Sequence, residues 1–276
     1  MSKQPKTIFI GMPTRPGSFA HTRASLAHNH ASLGREHTII LSSAHTSLLP
    51  HTFNLLWVDA LNKRKEHGIT HFGMIHDDVC AEPGWVDVML EEMERVNADI
   101  IAAVVPIKSK KGITSTGIDN PKCPWNTRRL TMTEVCKKSI TFTHPRLLLN
   151  TGLWLCKMSP LFCDPPLFFR QQDRLVQDSE SGKWFADTIP EDWDFSRRVR
   201  ERKGRIFATR KVSLFHQEEE YENQTPWGIW KTDEAFLQNG YVIEKEEDSD
   251  ECREPKVAGV DSEPVVNQNT AFAEVN

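Results

Sequence analysis

The stretch His71-Phe72-Gly73-Met74-Ile75-His76-Asp77-Asp78 decides the fold. Five residues, mostly apolar, run straight into an imidazole and two carboxylates, which predicts a buried strand that delivers polar groups at its end. Read as extended chain through Asp78, alternate residues share a face, so His76 and Asp78 are expected to project together while Asp77 points away.

Outward from this stretch the pattern repeats. Thr7 to Met12 is an apolar run closed by Pro13 and reads as a first strand, and Thr38 to Ser42 as a second. Ser18 to Leu33 is rich in Ala and His and predicts a helix stopped by Gly34, and Phe53 to His67 a helix capped by Gly68. Beyond Asp78, Pro83 opens a helix to about Val96, and Asp99 to Val105 is an apolar strand ended by Pro106. Strands alternating with helices imply an α/β fold, with a mainly parallel central sheet flanked by helices.

The polar, turn-rich middle from Lys108 to Pro145 carries weak strand signals at Arg129 to Val135 and Ser139 to Phe142, and is expected to hold a small antiparallel excursion with acceptor loops. Leu147 to Met158 reads as a strand interrupted by Gly152, Asp164 to Gly182 as a loop, Pro190 to Lys203 as a helix ended by Gly204, and Arg205 to Phe215 as a strand reaching His216.

The chain has 276 residues, 38% hydrophobic and 26% charged, the composition of a soluble globular protein. Residues 241–276 hold ten acids against three bases, so the formal charge of -4 conceals a modestly positive remainder. That remainder suits an anionic small molecule and permits a polyanionic acceptor. We expect one domain over 1–240 and an acidic, mobile tail over 241–276. No apolar run reaches the roughly 20 residues needed to span a bilayer, so no membrane insertion is expected. The first residues lack a secretory signal, and the expected location is the cytoplasm, that of the host if the protein is viral. Six cysteines without a CxxC pair predict reduced thiols.

Three groups of residues can carry chemistry. His76, Asp77 and Asp78 fall at a strand's carboxyl end, where open α/β sheets bind ligands; two hard oxygens and an imidazole suit a divalent cation that neutralises a diphosphate. Adjacent acids also simply cap turns. Pro190-Glu191-Asp192-Trp193-Asp194-Phe195 opens a helix, where the dipole favours acids for structural reasons, yet a carboxylate left facing a cleft can deprotonate an acceptor hydroxyl. His216 ends the strand Val212-Ser213-Leu214-Phe215. Lys108 is a candidate diphosphate contact, Tyr221, Trp227 and Trp230 are candidate stacking residues, and Lys108, Lys110, Lys111, Lys122, Arg128 and Arg129 form a basic loop cluster that also reads as a solvated surface.

Taken together, from Thr7 to Tyr221, this order resembles the GT-A fold glycosyltransferases, particularly the family 2-like group. In that family the acidic strand-end motif is Asp-x-Asp, whose last acid binds metal; here it stands as His76-Asp77-Asp78, with the first acid replaced by His. The resemblance implies Asp78, His216 and His76 as ligands of Mn²⁺ or Mg²⁺. It puts Pro13, Thr14, Arg15 and Asp77 on the nucleotide-sugar donor, a UDP-sugar first, and Gly152 where a missing side chain leaves room for a sugar. Its Glu-Asp motif falls on Glu191 and Asp192, with Asp192 as base.

The activity so implied is metal-dependent transfer of a hexosyl or pentosyl unit, with inversion, to an acceptor hydroxyl: a hydroxylated base in DNA, or a glycan or protein. The alternatives are a nucleotidyltransferase, for which Gly11-Met12-Pro13-Thr14-Arg15-Pro16-Gly17 is a poor phosphate loop, and a catalytically inactive sugar- or nucleic-acid-binding module.

Overall fold

The computed structural model describes residues 5–14, 31–32, 37–107, 112–178 and 181–216. Arg15, Lys108, Lys110, Lys111, Tyr221, Trp227, Trp230, almost all of the helix expected from Ser18 to Leu33, and the 241–276 tail lie outside them.

Along the chain run β1 (Thr7–Pro13), β2 (Thr38–Ala44), α1 (Leu49–His67), β3 (Ile69–Ile75), β4 (Val79–Ala81), α2 (Trp85–Arg95) and β5 (Ile100–Ala103). Next come β6 (Ile113–Ile118), β7 (Arg128–Thr131), α3 (Met132–Cys136), β8 (Thr141–Phe142), β9 (Leu147–Leu148) and β10 (Leu153–Lys157). The last are α4 (Pro160–Cys163), β11 (Gln172–Gln177), β12 (Trp184–Ile189), α5 (Glu191–Glu201), β13 (Ile206–Thr209) and β14 (Leu214–His216).

The main sheet has the order β2-β1-β3-β10-β5-β13-β8. The pairs β1–β2, β1–β3 and β5–β13 are parallel, whereas β10 runs antiparallel between β3 and β5, and β8 antiparallel to β13. This is the mainly parallel α/β architecture expected from strands alternating with helices. The antiparallel excursion is the three-stranded sheet β7-β6-β9.

Apolar residues on both strand faces explain the continuous runs in β1, β3 and β10. Phe9, Phe72, Met74 and Trp154 face α1 and pack with Phe53, Leu56 and Trp57. Ile8, Ile10, Ile75, Leu153 and Leu155 face α2 and pack with Trp85, Met89 and Met93. Each large side chain so buried contributes about 1.5–3 kcal/mol. The helix α1 ends where Gly68 takes the left-handed conformation (φ 62°) and donates its N–H to the Arg64 carbonyl.

Several expected elements differ. The strand read through Asp78 stops at Ile75, because Val79 N–H closes a turn on the His76 carbonyl at 3.1 Å, with the turn-forming Asp77 and Asp78 at its centre. Arg129 to Val135 is strand only to Thr131, where a capping box with Glu134 starts α3. Leu147 to Met158 divides at Gly152 between two sheets, and Arg205 to Phe215 divides where the chain leaves β13 to pair with β4. The loop expected from Asp164 to Gly182 contains β11, which forms a hairpin with β12, held in part by an Arg174–Asp187 cross-strand pair at 2.9 Å. Cys80, Cys136, Cys156 and Cys163 keep their thiols, as expected, whereas Cys123 is disulfide-bonded, against the expectation of reduced thiols.

Candidate active site

The turn after β3 is fixed from two sides. His76 N–H donates to the Gly152 carbonyl at 2.9 Å, and β4, directly after Asp78, pairs antiparallel with β14. In that pairing His216 lies opposite Val79, which sets its ring beside Asp78: Nε2 is 3.6 Å from Oδ2, and the two side chains are 17% and 18% exposed. The other ring nitrogen, Nδ1, lies 2.7 Å from the Pro106 carbonyl. A carbonyl only accepts, so Nδ1 carries the proton and Nε2 presents its lone pair to Asp78 in the neutral ring.

The structure thus brings Asp78 and His216 together. The His76 ring lies 5.2 Å from that of Phe53 on α1. Asp77 is 5% exposed. Among the described residues no group of three His, Cys, Asp or Glu side chains is arranged to hold a metal.

Gly152 adjoins the turn through its carbonyl, which accepts His76 N–H. Asn150 accepts the Gly152 N–H at 3.0 Å and donates to the Ala103 carbonyl at 2.9 Å, so the segment is pinned to the end of β5. A Cβ at Gly152 would lie 3.2 Å from Asn150 Oδ1 and 3.3 Å from Val105, both tight, and 3.5 Å from Val79, an ordinary contact.

The start of α5 is tied to the segment before Gly152. Ser196 donates to the Asp192 carbonyl at 2.8 Å and accepts Leu149 N–H at 3.0 Å. Glu191 is 8% exposed, and burial raises its carboxyl above the ordinary range. Asp192 is pushed well above it, first by burial and then by the charge of Glu191, with the Trp193 N–H (2.7 Å) and Arg129 opposing. Two acids that cannot both ionise cheaply make a proton-accepting site whose affinity lies above that of a free carboxylate. Arg129 stacks 4.9 Å over Trp193, whose ring N–H reaches the Ser115 carbonyl at 3.4 Å. Asp194, 3% exposed, serves the fold, holding Arg170, Gln172 and Arg198.

At the end of β1, Pro13 is buried opposite Ala44, and Thr14 donates both its N–H (3.0 Å) and its hydroxyl (3.3 Å) to the Ala44 carbonyl. The expected basic cluster is partly committed within the fold, since Arg128 pairs with Glu134 at 2.5 Å and Arg129 lies over Trp193. Lys122 is exposed. Sequence reasoning missed the Pro106 carbonyl, Asn150 as an anchor, and Ser196. The first is a backbone atom without a residue-type signal, and the others would have required the contacts themselves. No described helix is long and apolar enough to cross a membrane.

No family model matches the chain, and no curated protein does. Among solved structures, A197 from STIV aligns at a TM-score of 0.45 and 14% identity over 78% of this chain and 87% of that one. S. aureus TarS 1-349 in complex with UDP-GlcNAc aligns at 0.43 and 8% identity, over 79% of this chain and 60% of that one. Apo UDP-glucose pyrophosphorylase aligns at 0.35 and 10%, over 76% of each. Likenesses this distant carry no weight for the chemistry, which stands on the residues above.

Proposed function

We propose that the chain is a metal-dependent glycosyltransferase that moves a hexosyl or pentosyl unit from a nucleotide-diphosphate-sugar, a UDP-sugar first, to an acceptor hydroxyl with inversion. The observation that supports it is the Asp78–His216 contact at the carboxyl edge of the sheet. Two cis ligand atoms bonded at about 2.1 Å in an octahedral site stand about 3.0 Å apart, so the observed 3.6 Å would have to close by a small side-chain rotation to hold one ion. His216 has the second partner typical of metal-bound imidazoles, its Nδ1 proton directed to the Pro106 carbonyl. The residues therefore fit Mn²⁺ or Mg²⁺ held by Asp78 and His216, with donor phosphates completing the coordination, and the ion would neutralise the departing diphosphate.

The chain's own groups supply the rest. Asp192, with its raised proton affinity, takes the proton from the acceptor hydroxyl. Thr14, at the end of β1, contacts the nucleoside. We assign the catalytic domain to residues 1–240 and place the protein in the cytoplasm. The acceptor hydroxyl belongs to a hydroxylated DNA base or to a glycan or protein.

The test is a thermal-shift screen of UDP-glucose, UDP-GlcNAc and other nucleotide sugars, with and without Mn²⁺, followed by donor hydrolysis and transfer assays. A donor at about 100 times its Kd stabilises by about 2.7 kcal/mol; that stabilisation should need Mn²⁺ and vanish in Asp78→Ala. Stabilisation independent of metal, or unchanged in Asp78→Ala, would overturn the assignment. Pyrophosphate release from a nucleoside triphosphate and a sugar phosphate would identify a nucleotidyltransferase instead. Donor binding without hydrolysis or transfer would identify an inactive sugar-binding module.

A further inference from the structure

At the edge of the main sheet opposite the Asp78 turn lies a cavity of about 590 Å³, within the range of about 300–1,000 Å³ of small-molecule sites. It opens where β1 and β3 begin and β10 ends, with α1 and α2 closing its sides. Six residue steps along β3 at about 3.3 Å each place it about 20 Å from that turn, so one molecule of ordinary size does not occupy both.

The rim is cationic. Lys6, Arg64 and Lys157 line the cavity against one carboxylate, Glu94. Lys6 is paired with Glu94, and Lys157 lies 3.5 Å from Asp99. Arg64, half-buried in the last turn of α1, forms no ion pair among the described residues. A planar guanidinium in that position is suited to two-pronged hydrogen bonding of a phosphate.

The floor is apolar and sulfur-rich. Met93 and Met158, 1% and 4% exposed, stand with Ile69 and Leu90 beneath the rim. Thioethers contact the edges and faces of aromatic rings favourably, which a bare phosphate would leave unused.

His71 adds one directional requirement. It is 8% exposed, and its pKa is lowered to about 4 by burial and then by the charges of Lys6 and Lys157, so the ring is neutral at physiological pH. The Thr70 hydroxyl donates its one proton to the Thr7 carbonyl at 3.0 Å, and the same oxygen lies 2.9 Å from His71 Nδ1. The proton between them must therefore sit on Nδ1, which leaves Nε2 as an acceptor for a ligand N–H.

We propose that this cavity is a second ligand site, separate from the donor site, for a molecule that joins an amino-bearing aromatic heterocycle to a phosphate, of the nucleoside monophosphate kind. The phosphate lies against Arg64 and Lys157, the heterocycle on Met93 and Met158, and its amino group on His71 Nε2.

The test is isothermal titration of the full chain with adenosine monophosphate, inorganic phosphate and adenosine. Saturable binding of the monophosphate is expected, about tenfold weaker in Arg64→Ala, partly restored in Arg64→Lys, and unchanged in Asp78→Asn. Adenosine and inorganic phosphate should each bind at least about tenfold more weakly than the monophosphate. No saturation at millimolar monophosphate, equal affinity in wild type and Arg64→Ala, or equal affinity for phosphate alone would overturn the proposal. Loss of binding in Asp78→Asn would place the nucleotide in the donor site and would also overturn it.

Discussion

Replacing Glu92 with Gln should destabilise the protein by about 2 kcal/mol at neutral pH, and the cost should shrink on acidification. The side chain is 3% exposed on α2 and accepts from Arg95 at 2.6 Å, from Lys211 at 2.9 Å and from the Thr141 hydroxyl. Burial pushes its carboxyl up, but the hydrogen bonds from Arg95, Thr141 and Lys211 outweigh it and hold the pKa at about 2 against an ordinary 4.5. At about 1.4 kcal/mol per unit, that depression corresponds to about 3 kcal/mol. Arg95 and Lys211 are 56% and 43% exposed, so solvent screening brings the expectation down to about 2 kcal/mol. Because the folded pKa is the lower one, the stabilisation is complete above the unfolded value of 4.5 and is lost as pH falls through about 2. Urea unfolding followed by tryptophan fluorescence, from about pH 7 down to about pH 3, measures the gap between wild type and Glu92→Gln. A gap under about 0.5 kcal/mol at neutral pH, or one that stays constant on acidification, would refute the reasoning. In a domain of this size the neutral-pH effect corresponds to about 4–8 °C in Tm.

Asp192→Asn should abolish transfer yet raise stability at neutral pH, as calorimetry against a transfer assay would show. The raised folded pKa means that Asp192 helps the fold only below its unfolded pKa and loses that contribution as pH rises through the folded value. A variant less stable than wild type at neutral pH would contradict this. His216→Asn keeps a donor for the Pro106 carbonyl but no ligand atom at the Nε2 position, so Mn²⁺-dependent donor binding should be lost. His216→Gln, whose amide reaches that position, should retain part of it, and the reverse order would count against Nε2 as the ligand. Gly152→Ala, whose added Cβ would meet Asn150 Oδ1 at 3.2 Å and Val105 at 3.3 Å, should cost about 1 kcal/mol in urea unfolding; an unchanged midpoint would show that these neighbours give way.

How much was legible follows from where each signal resides. The runs of β1, β3 and β5 are apolar on both faces because helices cover both, and Gly68 closes α1, so local pattern sufficed for the main sheet, whereas α5 is ended by Lys203 (φ 62°), one residue before the expected Gly204. The β11–β12 hairpin was hidden because its outer face carries Leu175 and Trp184, 73% and 65% exposed, among polar residues, a pattern with neither strand alternation nor a core to mark it. The turn at Asp77 and Asp78 was misread because an apolar strand gives no sign of where pairing stops. That Leu214–His216 would leave the main sheet and pair with Val79–Ala81 is a choice between distant segments, and no window of sequence contains both partners.

The end of β5 explains why these distant segments meet at one place. Past Ala103 the chain leaves the sheet ladder while staying buried, with Val104 and Val105 3% and 2% exposed, so its carbonyls need new partners. Asn150 takes the carbonyl of Ala103, the Ser115 N–H and hydroxyl take that of Val105, and His216 takes that of Pro106. Each partner comes from a different element: the segment before Gly152, the strand whose Ser115 carbonyl receives Trp193, and the strand that carries the imidazole to Asp78. A buried carbonyl left unmet costs about 1–3 kcal/mol, more than a typical surface ion pair returns, so satisfying this one strand end gathers the segments into register. The candidate site is therefore built around backbone that must be hydrogen-bonded in any case, and its side chains lie where those obligations bring their strands.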